Sequence, residues 1–427
     1  MTVPSRDRLV ELRRAFHRHP EPAWREFWTT GRIVEELERI GVDEIHVGAD
    51  ALADERTGVP DDAELRRWRE RAREAGTRED VLAATEGGTT GAVAVLDRGP
   101  GPTVALRVDI DGLPRVESDA DHHHPAREGF RSETGESMHA CGHDAHATLG
   151  LGVLETLADD DAFTGRLKVF FQPAEETIAG GKAMAESGHL DDVNALVAVH
   201  VGLDHPTGEV VAGVEGFLAV SQFRAEFTGK PAHAGGHPSR GHNAVGAMAT
   251  AVTNLHAIPR HEDGATRVNA GRVEGGTATN IVPESATIEG EVRGETTALR
   301  EYMNDHADRV MAGAARTHDC EVSVTRVGEA PSGHSDDAVV DVVEAVAGRT
   351  DGVDSVVRSD DLGGSEDATY LMGRVQERGG KAAYVAVGTD HPDGHHTATF
   401  DVDEDSLPVG VAVLSETLRE LADEGDG

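Results

Sequence analysis

Ala195-Leu196-Val197-Ala198-Val199-His200-Val201 carries one polar side chain in seven residues. A strand with one wet face alternates apolar and polar residues. A continuous run instead predicts a strand covered on both faces, as in a parallel sheet held between helices. Val104–Val108 and Leu167–Phe171 read the same way, with a helix predicted between them over 144–158. Each of the three runs leads straight into polar residues at its C-terminal end. Gly91–Leu96 and Ala382–Val387 add two more apolar strands. The expected fold class is therefore α/β, a mostly parallel sheet flanked by helices, in which ligands collect at the carboxyl ends of the strands.

Outward from that sheet, Leu9, Leu12 and Phe16 repeat at helical spacing over 5–19, and His19-Pro20 ends the helix. A second amphipathic helix covers 28–40 and stops at Gly41. The Asp/Glu/Arg-rich stretch 49–86 holds a helix start at Pro60-Asp61-Asp62 running to Gly76, and is expected to be a peripheral, solvated insertion. From 214 to 327 the pattern becomes strand, helix, strand, strand, helix, strand. That order is the ferredoxin-like α+β arrangement, with an antiparallel sheet and helices on one face. The organisation expected is a discontinuous domain of residues 1–213 and 328–427 with residues 214–327 inserted as a lid.

The 427 residues include 40 basic and 78 acidic side chains, a formal net charge of −38. Phosphates repel such a surface, which excludes an unaided nucleic-acid or anionic-membrane binder. Lysine occurs only at Lys168, Lys182, Lys230 and Lys381, so the remaining 40 − 4 = 36 basic residues are Arg. Many carboxylates with almost no Lys suggest a halophilic surface, its self-repulsion screened by salt. Cys141 and Cys320 make no disulfide framework. No apolar run approaches the length of a membrane span, and the expectation is a soluble cytoplasmic protein.

The chemistry concentrates in His139-Ala140-Cys141-Gly142-His143-Asp144-Ala145-His146. A thiol and three imidazoles at the start of a predicted helix are preferred ligands for borderline divalent cations. Phe171-Gln172-Pro173-Ala174-Glu175-Glu176 follows an apolar strand, where one carboxylate can ligate while its neighbour serves as a base; a solvated Glu pair is the plain alternative. His200 lies inside an apolar strand and, taken alone, reads as a satisfied core histidine. Gly388-Thr389-Asp390-His391-Pro392-Asp393-Gly394-His395-His396 follows the last strand. Asp109 and Asp111 end another, placed to orient a ligand histidine from behind. Four strand-end loops carrying metal-competent groups are the layout of one shared site, and the mixture of donors favours two divalent ions over one structural zinc. Phosphate-loop, dinucleotide and GxSxG motifs are absent.

With His17-Arg18-His19-Pro20-Glu21, Arg107-Val108-Asp109-Ile110-Asp111-Gly112-Leu113-Pro114, Met138-His139-Ala140-Cys141-Gly142-His143-Asp144, Gln172-Pro173-Ala174-Glu175-Glu176, Ala232-His233-Ala234-Gly235 and Ser365-Glu366-Asp367-Ala368 in order along the chain, the sequence resembles the two-metal amidohydrolases. That metallopeptidase family includes hippurate hydrolase, N-acyl-amino-acid amidohydrolases and auxin-amino-acid hydrolases. The 49–86 stretch and the ending Phe400-Asp401-Val402-Asp403-Glu404 resemble its branch of A-type aminobenzoyl-glutamate hydrolase subunits.

The resemblance implies a phosphorylase/hydrolase-like catalytic domain with a lid that also dimerises. It implies two ions, Mn²⁺ or Zn²⁺, held by Cys141, His143, Glu176, His200 and His396, with Glu175 as general base. His395 stands beside His396; the spacing to Phe400 favours His396 as the ligand. His233 is implied as the oxyanion donor, reaching a partner subunit's site, and Asn280 and Arg293 as holders of the substrate's carboxylate. The implied reaction is cleavage of an N-acyl or N-aroyl amino acid, aminobenzoyl-glutamate-like or hippurate-like, by a metal-activated water. The implied assembly is a homodimer or a pairing with a related second chain. The competing reading is a non-catalytic metal- or ligand-binding relative of the same fold, and such a protein has no need of Glu175 beside Glu176, nor of His233.

Overall fold

The computed structural model describes residues 2–391 and 393–423, so Pro392 in the 388–396 loop lies outside them. Contacts divide the chain into two compact units. The first runs through Glu215 and resumes over Gly333–Leu362 and from Asp367 onward; the second holds Gly216–Ser332 and Gly363–Glu366. In chain order the strands are β1 (Glu44–Val47), β2 (Ala92–Asp97), β3 (Thr103–Asp109), β4 (Arg166–Gln172), β5 (Ala195–Val201), β6 (Glu209–Glu215), β7 (Ala219–Thr228), β8 (Thr266–Gly275), β9 (Ser285–Gly294), β10 (Glu321–Ala330), β11 (Ser355–Asp361) and β12 (Lys381–Val387). Helices α1 (Arg6–Arg18), α2 (Phe27–Ile40), α3 (Asp62–Glu74) and α4 (His143–Ala158) matter most to the site.

The first unit is a mixed α/β fold around one sheet in the order β1-β2-β4-β3-β5-β12-β6-β11. Its centre, β4-β3-β5-β12, is parallel throughout. Antiparallel pairing enters at β1–β2, β2–β4 and β12–β6. Because side chains alternate across a strand, Val104, Leu106 and Val108 join one core with Val197, Val199 and α4. Ala105, Phe170, Leu196 and Ala198 are buried on the opposite face. Continuous apolar runs thus sit where both faces are covered. A Cβ at Gly152 would lie 2.6 Å from Val411 Cγ2, so glycine lets the Ser406–Asp423 helix pack directly on α4.

The second unit pairs its strands in the order β10-β7-β9-β8, all antiparallel. Helices Ala244–His256 and Thr297–Thr317 bring Met248, Leu255, Met303 and Met311 onto Phe223, Phe227, Ile288 and Val292. Among the described residues, no helix is long and apolar enough to cross a membrane.

The 49–86 stretch departs from expectation. It is not simply solvated: α3 is capped by Asp61, which accepts from Ala63 N and Glu64 N at 2.9 Å. Its Leu65, Trp68 and Ala72, spaced by three and four, form a small core with Phe27 and Leu82. Charged residues crowd the other faces and hide that stripe in the composition. Trp68→Ala is expected to destabilise the chain by about 3–5 kcal/mol in urea denaturation. A loss below about 1 kcal/mol would contradict a packed α3.

Candidate metal centre

β3, β4, β5 and β12 end side by side, and their outgoing loops carry the donors read from the sequence. Gly142 takes φ +87°, a left-handed turn that starts α4 directly after Cys141. A Cβ there would also lie 2.5 Å from Val201 Cγ2 on β5. The turn brings Cys141 and His143 beside the end of β5, where Cys141 Sγ lies 3.4 Å from His200 Nε2.

Ligand atoms of Cys141, His143 and His200 fall within 4.8 Å of one another. The same holds for Cys141, Glu176 and His396, and for His143, Glu175 and Glu176. His396 Nε2 is 3.5 Å from Glu176 Oε2. His143 Nε2 is 3.9 Å from a carboxylate oxygen of each of Glu175 and Glu176. The adjacent histidines part company: His395 Nε2 faces the Val201 carbonyl at 3.3 Å. His396 is turned by a φ of +61°, with its backbone N–H donated to Ala140 O.

Hydrogen bonds set the tautomers. His200 Nδ1 donates to its neighbour's carbonyl, Val201 O, at 2.7 Å. His143 Nδ1 donates to Asp111 Oδ1 at 3.3 Å. His200 therefore turns a lone-pair Nε2 toward the cluster, and His143 directs its Nε2 there too, the arrangement of a metal-ligating imidazole backed by an acceptor. Asp111 also accepts from the backbone of Glu175 and Glu176, both at 3.1 Å, and so fixes the carboxylate pair as well as the imidazole. Asp109 bonds His146 Nδ1 and, at 2.7 Å, Arg107. Burial pushes its carboxyl up, but His143, His146 and Arg107 outweigh that and hold it well below the usual range.

The other two histidines of the motif stand apart. His146 Nε2 accepts from Val201 N at 2.8 Å and is saturated. His139 is fully buried, and burial pushes it down to about 3.

The donor set fits divalent cations. His143 Nε2 is buried with no hydrogen-bond partner. Burial and the charge of Glu176 push the Cys141 thiol well above its ordinary value. Burial pushes the His200 imidazole well down, so it is neutral and ligand-competent. Thiol, neutral imidazole and carboxylate in contact is a group that a cation completes.

His233, Asn280 and Arg293 lie in the second unit. His233 and Asn280 are neighbours there: His233 bridges to Ile281, and Ala234 N donates to Asn280 O at 2.9 Å. His233 Nδ1 accepts from Gly235 N and Gly236 N at 3.2 and 3.0 Å, which leaves the proton on Nε2. Arg293 is engaged by Glu291 at 2.8 Å.

A layer of buried charge behind the cluster escaped the sequence reading. Glu26 accepts from Ala174 N at 2.8 Å, just before Glu175. Burial and the charge of Asp111 push its carboxyl up to about 8. Arg13 on α1 is fully buried between Asp144, at 2.8 Å, and Asp401, at 2.6 Å. One turn later His17 bridges Asp144 at 2.7 Å and Glu117 at 3.0 Å. Burial opposes its charge, but those two carboxylates raise it to about 9. The helical spacing of Arg13 and His17 was the available signal.

The model of "Peptidase family M20/M25/M40" matches residues 105–420. The chain is 43 % identical over 413 residues to an indole-3-acetyl-aspartic acid hydrolase of Enterobacter agglomerans, covering 96 % of this chain and 94 % of that one. It is 41 % identical to the A-type chain of the p-aminobenzoyl-glutamate hydrolase of Escherichia coli (strain K12), covering 96 % and 95 %. A Bacillus subtilis structure described as a dinuclear metal binding peptidase superposes with TM-score 0.67 at 25 % identity, covering 98 % of each chain.

His17 supplies a pH test of the charge layer. Its folded value of about 9 lies above the ordinary 6.5, so the stability it contributes is whole below pH 6.5 and is lost as pH rises through about 9. Urea denaturation between pH 6 and 9.5 is expected to show a steeper fall in stability for the wild type than for His17→Gln, with the difference extending to about pH 9. Equal slopes for the two proteins would contradict a charged His17.

Proposed function

The chain belongs to peptidase family M20/M25/M40, and on that premise we propose a two-cation amidohydrolase that cleaves an acyl or aroyl group from an acidic amino acid. The family and its relatives at 41–43 % identity make it a hydrolase. Two of those relatives bear the names of aspartate and glutamate conjugates, which is what narrows the amino acid. The observation that carries the reading is the meeting of Cys141, His143, Glu176, His200 and His396 at one edge of the sheet, with Glu175 beside them.

In this reading the five residues hold two divalent ions, Mn²⁺ or Zn²⁺, which when bound polarise the amide carbonyl and make water a better acid. The choice of His396 over His395 follows from where each ring points. Glu175, anchored through its backbone to Asp111, takes the proton of the attacking water and returns it to the leaving nitrogen. His233 is assigned the developing oxyanion, because its Nε2 carries the proton and is a donor. Arg293 and Asn280 are assigned the free carboxylate of the amino acid. Arg293 already holds Glu291 through two hydrogen bonds, at 2.8 and 3.2 Å, so binding that carboxylate exchanges one bidentate pair for another. The second unit is thus proposed as the lid and dimerisation element, with the partner a second copy or a related chain.

Purified protein in high salt is expected to contain two divalent ions per chain and to release glutamate or aspartate from p-aminobenzoyl-glutamate and indole-3-acetyl-aspartate. Metal bound with no amide cleaved would favour the non-catalytic relative. Glu175→Ala is expected to keep its metal and lose about 10²–10⁴-fold in kcat. Cys141→Ala is expected to lose metal first. An active Glu175→Ala would overturn the base assignment.

A further inference from the structure

Resting on that reading, we propose that a cavity between α3 and the 112–114 turn receives the aromatic acyl group of the substrate. The cavity measures about 320 Å³ and is bordered by Glu176 and Thr177, so it lies beside one of the candidate metal donors. Its apolar lining comes from Pro22, Ala23, Leu113, Pro114 and Trp68. Trp68 belongs to α3, so the 49–86 stretch builds one wall of the cavity.

The charges around the opening decide which end of the substrate it fits. Arg25 Nη2 is paired with Glu64 at 2.9 Å, and its Nη1 donates to Ala23 O at 2.6 Å. Arg67 is paired with Glu136 at 2.8 Å, and Arg71 reaches the same carboxylate at 3.0 Å. A free amino-acid carboxylate needs positive charge in excess, and Glu64, Glu136 and Glu176 here outnumber Arg25 and Arg67. A neutral, flat, apolar group needs none, and gains by leaving water for the apolar lining. The same ion pairs tie α3 to the segments at 25 and 136, so the cavity is formed before substrate arrives. An acetyl group is too small to reach most of this lining. The cavity therefore selects aroyl and arylacetyl conjugates over N-acetyl amino acids.

The test compares kcat/KM for p-aminobenzoyl-glutamate and N-acetylglutamate, in the wild type and in Leu113→Ala. The wild type is expected to prefer the aroyl substrate by at least about tenfold, and Leu113→Ala to lower that ratio about tenfold, with metal content and Tm recorded alongside. Arg67→Ala, on the exposed rim, removes one of the two arginines that balance Glu136 at the mouth and leaves Arg71 alone to pair it. It is expected to lower the same ratio, and it serves if Leu113→Ala does not fold. Cleavage of both substrates with a ratio neither variant moves would overturn the pocket and leave the amidohydrolase reading standing. Cleavage of neither would overturn both.

Discussion

Acceptors crowded at the buried edge of a parallel sheet need positive charge. Asp109, Asp111, Glu175 and the Cys141 thiol all lie at or below 9 % exposure, beside the ends of strands whose interiors are largely apolar. Burying such groups without compensation costs several kcal/mol each. Arg107 and His146 answer Asp109; backbone N–H groups and His143 answer Asp111. What remains is a thiol held in its neutral form by burial and by Glu176, next to the His200 imidazole, which offers a lone pair. Divalent cations reconcile those groups at a stroke, and every other feature of the site can be understood as holding the acceptors in place for them.

The supports are arranged from the centre outward. Asp111 grips an imidazole and two consecutive backbone amides at once, so its position sets both the His143 ring and the Glu175–Glu176 pair. Glu26 holds the next amide along the same loop. On the far side of the ligand loop, Arg13 and His17 clamp Asp144, the residue after His143, and Arg13 also takes Asp401 beyond the His396 loop. Removing one partner from such a buried set leaves a stranded charge, so these residues matter to the site without touching a substrate. The α3 segment adds a wall to the neighbouring cavity through contacts of a different kind, a packed tryptophan and surface ion pairs.

Much of this was legible in the chain because apolar continuity and motif clustering are local signals. The runs at 104–108, 167–171 and 195–201 lie within β3, β4 and β5, and the pattern change after 214 reflects the switch to a βαββαβ unit. The parts that were illegible have physical causes. β11 reads Ser355-Val356-Val357-Arg358-Ser359-Asp360-Asp361 and is largely exposed at the sheet edge, where charge is tolerated and discourages further pairing. β1 is four residues long, too short for a pattern. The stripe of α3 is three residues among many charges. Spacing alone did not show that His395 and His396 point different ways, since that depends on one left-handed residue. Likewise, which of the three imidazoles in the 139–146 motif faces the cluster depends on Asp109 and Val201, both remote in sequence.

The most direct measurement is anomalous diffraction from crystals of the metal-loaded protein, collected at the absorption edge of the ion it carries. Two peaks are expected within coordination distance of Cys141, His143, Glu176, His200 and His396, with Glu175 beside them and outside the ligand set. A single peak elsewhere, such as among His122, His123 and His124, or five residues that bind no ion at all, would contradict it.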